Sequence, residues 1–216
     1  VNVDGTRNVL AACRRRGIRK LVFSSSPSVV AAWGRVSDAD ESLPYPARFP
    51  APYPESKAQA ERLVLEASNG TTGTCALRPH LLWGVGDPHF IPRLVRRAKQ
   101  GRLMRIGDGT NRVSLTHVDN AARAYVRALA ALEPNSRLAG RAYFIVDATP
   151  VLLWEWINDL LIRLGLATVH RAMSVHAASW LGAVADGVRR FVPLSAEPRI
   201  SRFLALQLGT SHCFSC

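Results

Sequence analysis

Arg19-Lys20-Leu21-Val22-Phe23-Ser24-Ser25-Ser26, followed one long loop later by Tyr53-Pro54-Glu55-Ser56-Lys57, is the most telling part of this chain. The short apolar run ending in three serines predicts a buried strand with a hydroxyl-rich carboxyl end. In open α/β sheets, ligand sites gather at the carboxyl ends of strands. Tyr53 and Lys57 stand four residues apart, so on a helix they share one side, a turn from each other. An ammonium beside a phenol favours the phenolate, and a hydroxyl from a nearby strand end can share a substrate oxygen with that phenol. Such a trio suits moving a proton on or off an alcohol while a hydride leaves or reaches its carbon. Alone, Tyr-x-x-x-Lys reads as an exposed helical pair; the serine-tipped strand ahead of it makes the combination specific.

Outward from that stretch, residues 2 to 16 predict a helix with Thr6, Val9, Leu10 and Cys13 on one stripe and Gly17 as its stop. Residues 27 to 50 form a long, proline-bearing loop of the kind kept for function. A helix over 52 to 68 is expected to bury Ala60, Leu63, Val64 and Ala67. Strands are expected over 73–78, 103–106, 113–116 and 142–146, and helices over 90–100, 118–132, 151–164, 174–191 and 198–208. Strand and helix alternate, so the fold class is α/β, a parallel sheet flanked by helices. No internal repeat is visible.

The 216 residues suffice for one large domain with a small lobe, and 48% hydrophobic with 20% charged residues suits a globular protein. No signal peptide is evident at Val1-Asn2-Val3-Asp4, and no uncharged apolar run reaches the roughly 18 residues of a membrane span. The four cysteines are scattered, and Cys213-Phe-Ser-Cys216 lacks a second ligand pair, so neither a metal site nor a redox motif is expected; a reducing cytoplasm fits. The net charge of +12 comes from 28 Lys and Arg against 16 acids, with basic clusters at Arg14 to Arg16, Arg19-Lys20, Arg96-Arg97 and Arg189-Arg190. They fall at several helix ends, where cations complement the dipole, and no aromatic residues interleave them. A solvated surface is therefore expected and nucleic acid is not. The stretch from 171 to 192 is mildly apolar and amphipathic, but Asp186, Arg189 and Arg190 interrupt it; a substrate-lobe helix is expected there, with membrane association at most weak.

A series of motifs resembles the extended short-chain dehydrogenase/reductases, in particular the 3β-hydroxysteroid dehydrogenase/isomerase family with sterol-4α-carboxylate 3-dehydrogenase. They are Val1 to Val9, Leu21 to Val30, Asp40 to Pro46, Tyr53 to Lys57, Leu77-Arg78-Pro79, Gly84 to Asp87, Ile106 to Gly109 and Thr116 to Asn120, in the family's order and spacing. The resemblance implies a Rossmann-like doubly wound parallel sheet with a small, mostly helical C-terminal substrate lobe. It implies that Tyr53 is the general acid/base and that Lys57 orients the nicotinamide ribose. Ser26 matches the third catalytic position, with Ser25 the alternative. Tyr53, Lys57, Ser24, Pro79 and Asn2 are the implied cofactor contacts. Bland accounts stand beside these: strand-end hydroxyls satisfied by backbone for the serines, helix capping for Asn2, strand termination for Pro79. Asp119 and Asn120 read as helix caps, and His117 as structural.

The resemblance further implies oxidation of a 3β-hydroxyl on a steroid or sterol-like substrate, with NAD or NADP as hydride acceptor, and leaves room for isomerase activity and for a homodimer. Another extended reductase, such as a nucleotide-sugar epimerase or a dihydroflavonol-type reductase, is the alternative enzyme; a non-catalytic basic binding module is the alternative of another class. Trp154, Trp156, Leu160, Leu161, Trp180 and Leu181 suggest an apolar pocket wall, with ordinary helix core as the equal alternative. Residues 1–150 are expected to belong to the dinucleotide-binding domain with interleaved substrate-lobe segments, and 151–216 to the lobe. The Gly-x-x-Gly-x-x-Gly turn that cradles a pyrophosphate does not occur in these residues. Against the family, the chain therefore reads as an internal fragment lacking the first strands. By itself it is expected to bind NAD(H) weakly and to turn over negligibly.

Overall fold

The computed structural model describes residues 1–191 and 201–215. Helix α1 (Asn2–Arg16) ends where expected, at Gly17 with φ 64°, a left-handed conformation that glycine adopts without a Cβ penalty. It leads into β1 (Lys20–Ser24), a 3-10 turn over Pro27–Val29 and β2 (Val36–Ala39). Helix α2 (Pro52–Glu66) starts with proline in its first turn, where the missing N–H costs nothing. β3 (Gly73–Pro79) follows, then β4 (Leu82–Trp83), α3 (Phe90–Lys99), β5 (Arg105–Ile106), β6 (Arg112–Val113) and β7 (Thr116–His117). Next come α4 (Val118–Ala131), β8 (Arg141–Ile145), β9 (Val151–Leu152), α5 (Leu153–Arg163) and β10 (Ala172–Met173). The chain closes with α6 (Val175–Phe191), α7 (Arg202–Gly209) and β11 (His212–Phe214).

The α/β architecture is present. β3 is buried along its whole length between β1 and β8, and both pairings are parallel, with Ser24 opposite Leu77 and Pro79 opposite Ile145. Burial on both faces explains why β3 lacks an alternating polar pattern. Helix α2 lies against β3 with α1 packed on α2, and α4 packs on β1. A second sheet has the order β2-β11-β6-β9, and β11 runs parallel to both its neighbours. Two apolar clusters result. One surrounds Leu153, Trp154, Ile157 and Leu161 of α5; the other joins Val29, Val30 and Ala58 to Phe144 and Phe214.

The structure departs from the sequence-based expectations at several places. The 27–50 loop contains β2, and a further strand, β11, follows the last expected helix, its Phe214 ring stacking on Phe144 at 4.4 Å. Two- to four-residue strands are too short to show a period, so only pairing reveals them. Val9 lies at the surface, leaving Leu10 as the buried residue of α1. Trp180 and Leu181 face outward, at 67% and 42% exposure, because α6 turns Ala178 and Gly182 inward. The side chains of Arg189 and Arg190, residues 198–200 of the last expected helix, and Cys216 lie outside the described residues. No helix among the described residues is long and apolar enough to cross a membrane.

Gly182 is where α6 and α7 touch. A Cβ placed there would sit 2.4 Å from the Arg202 backbone nitrogen and 2.5 Å from the Ser201 carbonyl carbon. Backbone cannot swing aside as a side chain can, so Gly182→Ala is expected to destabilise by about 1–3 kcal/mol. Urea unfolding of the variant checks this; an unchanged midpoint would refute the contact.

Candidate active site

The carboxyl end of β1 and the first turns of α2 converge. The Lys57 ammonium donates to the Ser24 carbonyl at 2.7 Å and lies 4.9 Å from the centre of the Phe23 ring. Burial lowers the Lys57 pKa, and the nearby Glu61 carboxylate opposes that shift. The lysine thus pins α2 to the serine-tipped strand end and keeps two further N–H donors. One turn earlier on the same helix, Tyr53 is 47% exposed. Its ring lies 6.2 Å from that of Phe203 on α7, and among the described residues its hydroxyl makes no hydrogen bond. The phenol oxygen is therefore open to a substrate.

The three serines differ. The Ser24 hydroxyl accepts from the Tyr125 hydroxyl at 2.7 Å. Ser25 is buried; its N–H donates to the Leu77 carbonyl, and its Oγ is buried without a hydrogen-bond partner. A buried hydroxyl left unpaired is uncommon and calls for a reason. Ser26 caps the 3-10 turn: its Oγ accepts from the Ser28 N–H at 3.3 Å and lies 3.0 Å from the Ser28 Oγ. Pro79 ends β3, two residues beyond the Leu77 that pairs with Ser24, and so lies at the same sheet end. Asn2 does not cap α1, whose N-cap is Val1 without a side-chain bond. Its amide donates instead to Ser56 Oγ at 3.0 Å, and Ser56 in turn donates to the Tyr53 carbonyl.

Direct bonds thus join Ser24, Lys57 and Tyr125, and a relay joins Asn2 through Ser56 to Tyr53. The helix that Asp119 and Asn120 were expected to cap is capped by His117, whose Nδ1 accepts from the Asp119 N–H at 3.3 Å. Asp147 fixes this corner by accepting from the His117 N–H and the Asn120 amide.

Behind the site lies a network that periodicity did not reveal. Glu61 is fully buried on α2, one turn after Lys57, and receives two N–H bonds from Arg78 of β3, at 2.7 and 3.0 Å. The Tyr45 hydroxyl also donates to Glu61; burial, reinforced by that carboxylate, pushes the Tyr45 phenol far up from its ordinary value. The available signal was a carboxylate inside the apolar stripe Ala58, Ala60, Val64, since a buried charge demands a partner. Arg78→Met would leave the buried Glu61 carboxylate without its cation and with only the Tyr45 hydroxyl as a donor, an expected cost of about 3–5 kcal/mol. Chemical denaturation reads it, and a loss under about 1 kcal/mol would contradict the network's role.

The 3-beta hydroxysteroid dehydrogenase/isomerase family model matches residues 1–175. A 2-alkyl-3-oxoalkanoate reductase of Stenotrophomonas maltophilia (strain K279a) is 45% identical over 99% of this chain and 66% of that protein. The 3beta-hydroxysteroid-dehydrogenase/decarboxylase isoform 1 of Arabidopsis thaliana is 43% identical over 76% of this chain and 39% of that protein. Among solved structures, a dTDP-glucose 4,6-dehydratase double mutant from Streptomyces venezuelae, with NAD and DAU bound, superimposes with a TM-score of 0.64. It is 25% identical over 80% of this chain and 53% of that one. The chain spans from 39% to 66% of the length of these two curated relatives.

Proposed function

The chain belongs to the 3-beta hydroxysteroid dehydrogenase/isomerase family, and on that premise we propose that the protein is an NAD(P)-dependent oxidoreductase that interconverts a ketone and a secondary alcohol on a bulky, lipid-like substrate. The observation that carries this is the Lys57 bond to Ser24 at a strand's carboxyl end, with the unengaged Tyr53 hydroxyl one helical turn away.

A nicotinamide dinucleotide, when bound, supplies or takes the hydride. The residues present fit its ribose and nicotinamide end. Lys57 would hold a ribose hydroxyl with its spare N–H donors, beside Ser24, while Pro79 ends β3 at the same sheet end and Asn2 joins α2 through Ser56. The unpaired Ser25 hydroxyl is a polar atom in want of a partner there. In reduction, Tyr53 gives its phenolic proton to the carbonyl oxygen as the carbon is reduced; in oxidation it takes the proton of the alcohol. Ser26 or Ser25 would hold that oxygen. Ser26 can do so only by sharing its cap to Ser28, whereas the Ser25 hydroxyl has no partner to give up.

We read the substrate as a 2-alkyl-3-oxoalkanoate, on the strength of a similarity to the Stenotrophomonas reductase that runs through 99% of the chain. A steroid 3β-hydroxyl is the second reading, favoured by the family and by the Arabidopsis relative. A panel assay decides between them: 2-alkyl-3-oxo acids with NADPH or NADH, 3β-hydroxysteroids with NAD+ or NADP+, and UDP-sugars. Turnover of the oxo acids is expected; turnover of only the sugars would end both readings.

A further inference from the structure

α7 carries two faces. Phe203 packs toward Tyr53, while Leu204 and Leu208, one turn apart on another stripe, line a cavity of about 440 Å³. That volume lies in the range of small-molecule sites, roughly 300–1,000 Å³. The cavity floor is apolar, built from Leu94 of α3, Ile106 of β5, Trp154 of α5, Met173 of β10 and the two leucines of α7. The Trp154 N–H donates to the Leu208 carbonyl at 3.1 Å, so the indole offers the cavity its apolar surface. Arginines line its rim, Arg102 and Arg171 among them, and among the described residues no Asp or Glu lines the cavity. Arg102 and Arg171 are exposed, and among the described residues neither side chain pairs with a carboxylate.

This pairing of surfaces selects for chemistry. A neutral hydrocarbon would fill the floor and leave the rim unused. A compact polar anion would meet the rim and leave the floor wet. We propose that the cavity binds an amphipathic anion, with an alkyl chain on the apolar floor and a carboxylate or phosphate head held by Arg102 and Arg171. Guanidinium groups match either head with paired N–H donors, and each methylene buried contributes in the usual measure of apolar transfer. The inference rests on the reading of the substrate as an alkyl-bearing oxo acid and deepens it, assigning the chain and the acidic head to named residues.

Calorimetric titration of the protein with octanoate, decanoate and dodecanoate, each below its micelle concentration, is the test. Affinity is expected to rise about fourfold per methylene, the equivalent of about 0.8 kcal/mol. Decyl phosphate, run in parallel, shows which head the rim prefers, and binding of either supports the site. Decyltrimethylammonium is expected to bind at least tenfold more weakly than decanoate. In the doubly substituted Arg102→Gln, Arg171→Gln protein, decanoate should lose tenfold or more while decanol is unaffected. Both arginines are at the surface, so this variant tests the head site without disturbing the core; Leu208→Asn tests the floor. Absence of any chain-length dependence, equal binding of the cationic amphiphile, or undiminished decanoate binding by the double variant would each overturn the proposal. A failure of the panel assay leaves these results untouched, so the two readings fall separately.

Discussion

Tyr53→Phe is expected to lower kcat by about 10²–10⁴-fold, the usual contribution of a positioned general acid/base, while leaving stability within about 0.5 kcal/mol. The structural reason lies in how little the hydroxyl does for the fold. Tyr53 is nearly half exposed, its oxygen makes no hydrogen bond among the described residues, and the ring retained by phenylalanine keeps the packing against Phe203. A loss of turnover therefore cannot be charged to unfolding. Lys57→Met behaves differently. It removes both the donor proposed for the cofactor and the bond that ties α2 to the Ser24 carbonyl, so activity and thermal midpoint should fall together. Steady-state kinetics on the panel's best substrate, with thermal unfolding of the same preparations, checks both variants. Full activity in Tyr53→Phe would remove the proposed mechanism.

Acidification is expected to unfold the protein through two histidines that no site uses. His80 and His212 are both buried, with ring centres 5.9 Å apart, and Phe214 packs edge-on against His80 at 5.2 Å. His80 Nδ1 lies 2.6 Å from the Ser114 carbonyl, which can only accept, so that nitrogen carries the proton of the neutral ring. Burial pushes the His80 pKa down to about 4. Burial, and then the neighbouring His80, bring His212 down to about 4 as well.

Because both folded values lie below the ordinary histidine value, the neutral rings contribute stability that is present above about pH 6.5 and is lost as pH falls toward 4. Between pH 7.5 and 4.5 the loss is roughly 2–3 kcal/mol per histidine, a large share of the roughly 5–15 kcal/mol typical of a domain. The Asp108 carboxyl, which the Thr110 amide and hydroxyl hold below the usual range, titrates lower and does not mask the window. Urea titrations at several pH values measure the slope, and His212→Asn should flatten it. A stability independent of pH from 7.5 to 4.5 would refute the assignment. β11 carries His212, so the strand joining β2 to β6 should be the first to lose its hydrogen-exchange protection.

What could be read from the amino acids alone was whatever depends on near neighbours. The helix ending at Gly17, the apolar run into Ser24, and Tyr53 and Lys57 on one helical side each follow from a local period or a local conformational preference. The order of those elements then prescribes a parallel α/β sheet, because strands alternating with helices have few other ways to bury their apolar faces. Tertiary structure alone decided the features whose partners are remote in the chain. Asn2 could cap its own helix or reach Ser56, and only the packing of α1 on α2 selects the second. His212 to Phe214 carry no period and become a strand because β2 and β6 supply the backbone partners. Glu61 is tolerable inside α2 only because Arg78, seventeen residues on, forks onto it. Trp154 and Trp180 look alike in sequence, yet one lines a cavity and the other faces water. A side chain's environment is set by which distant surface covers it, and covering is a property of the folded whole.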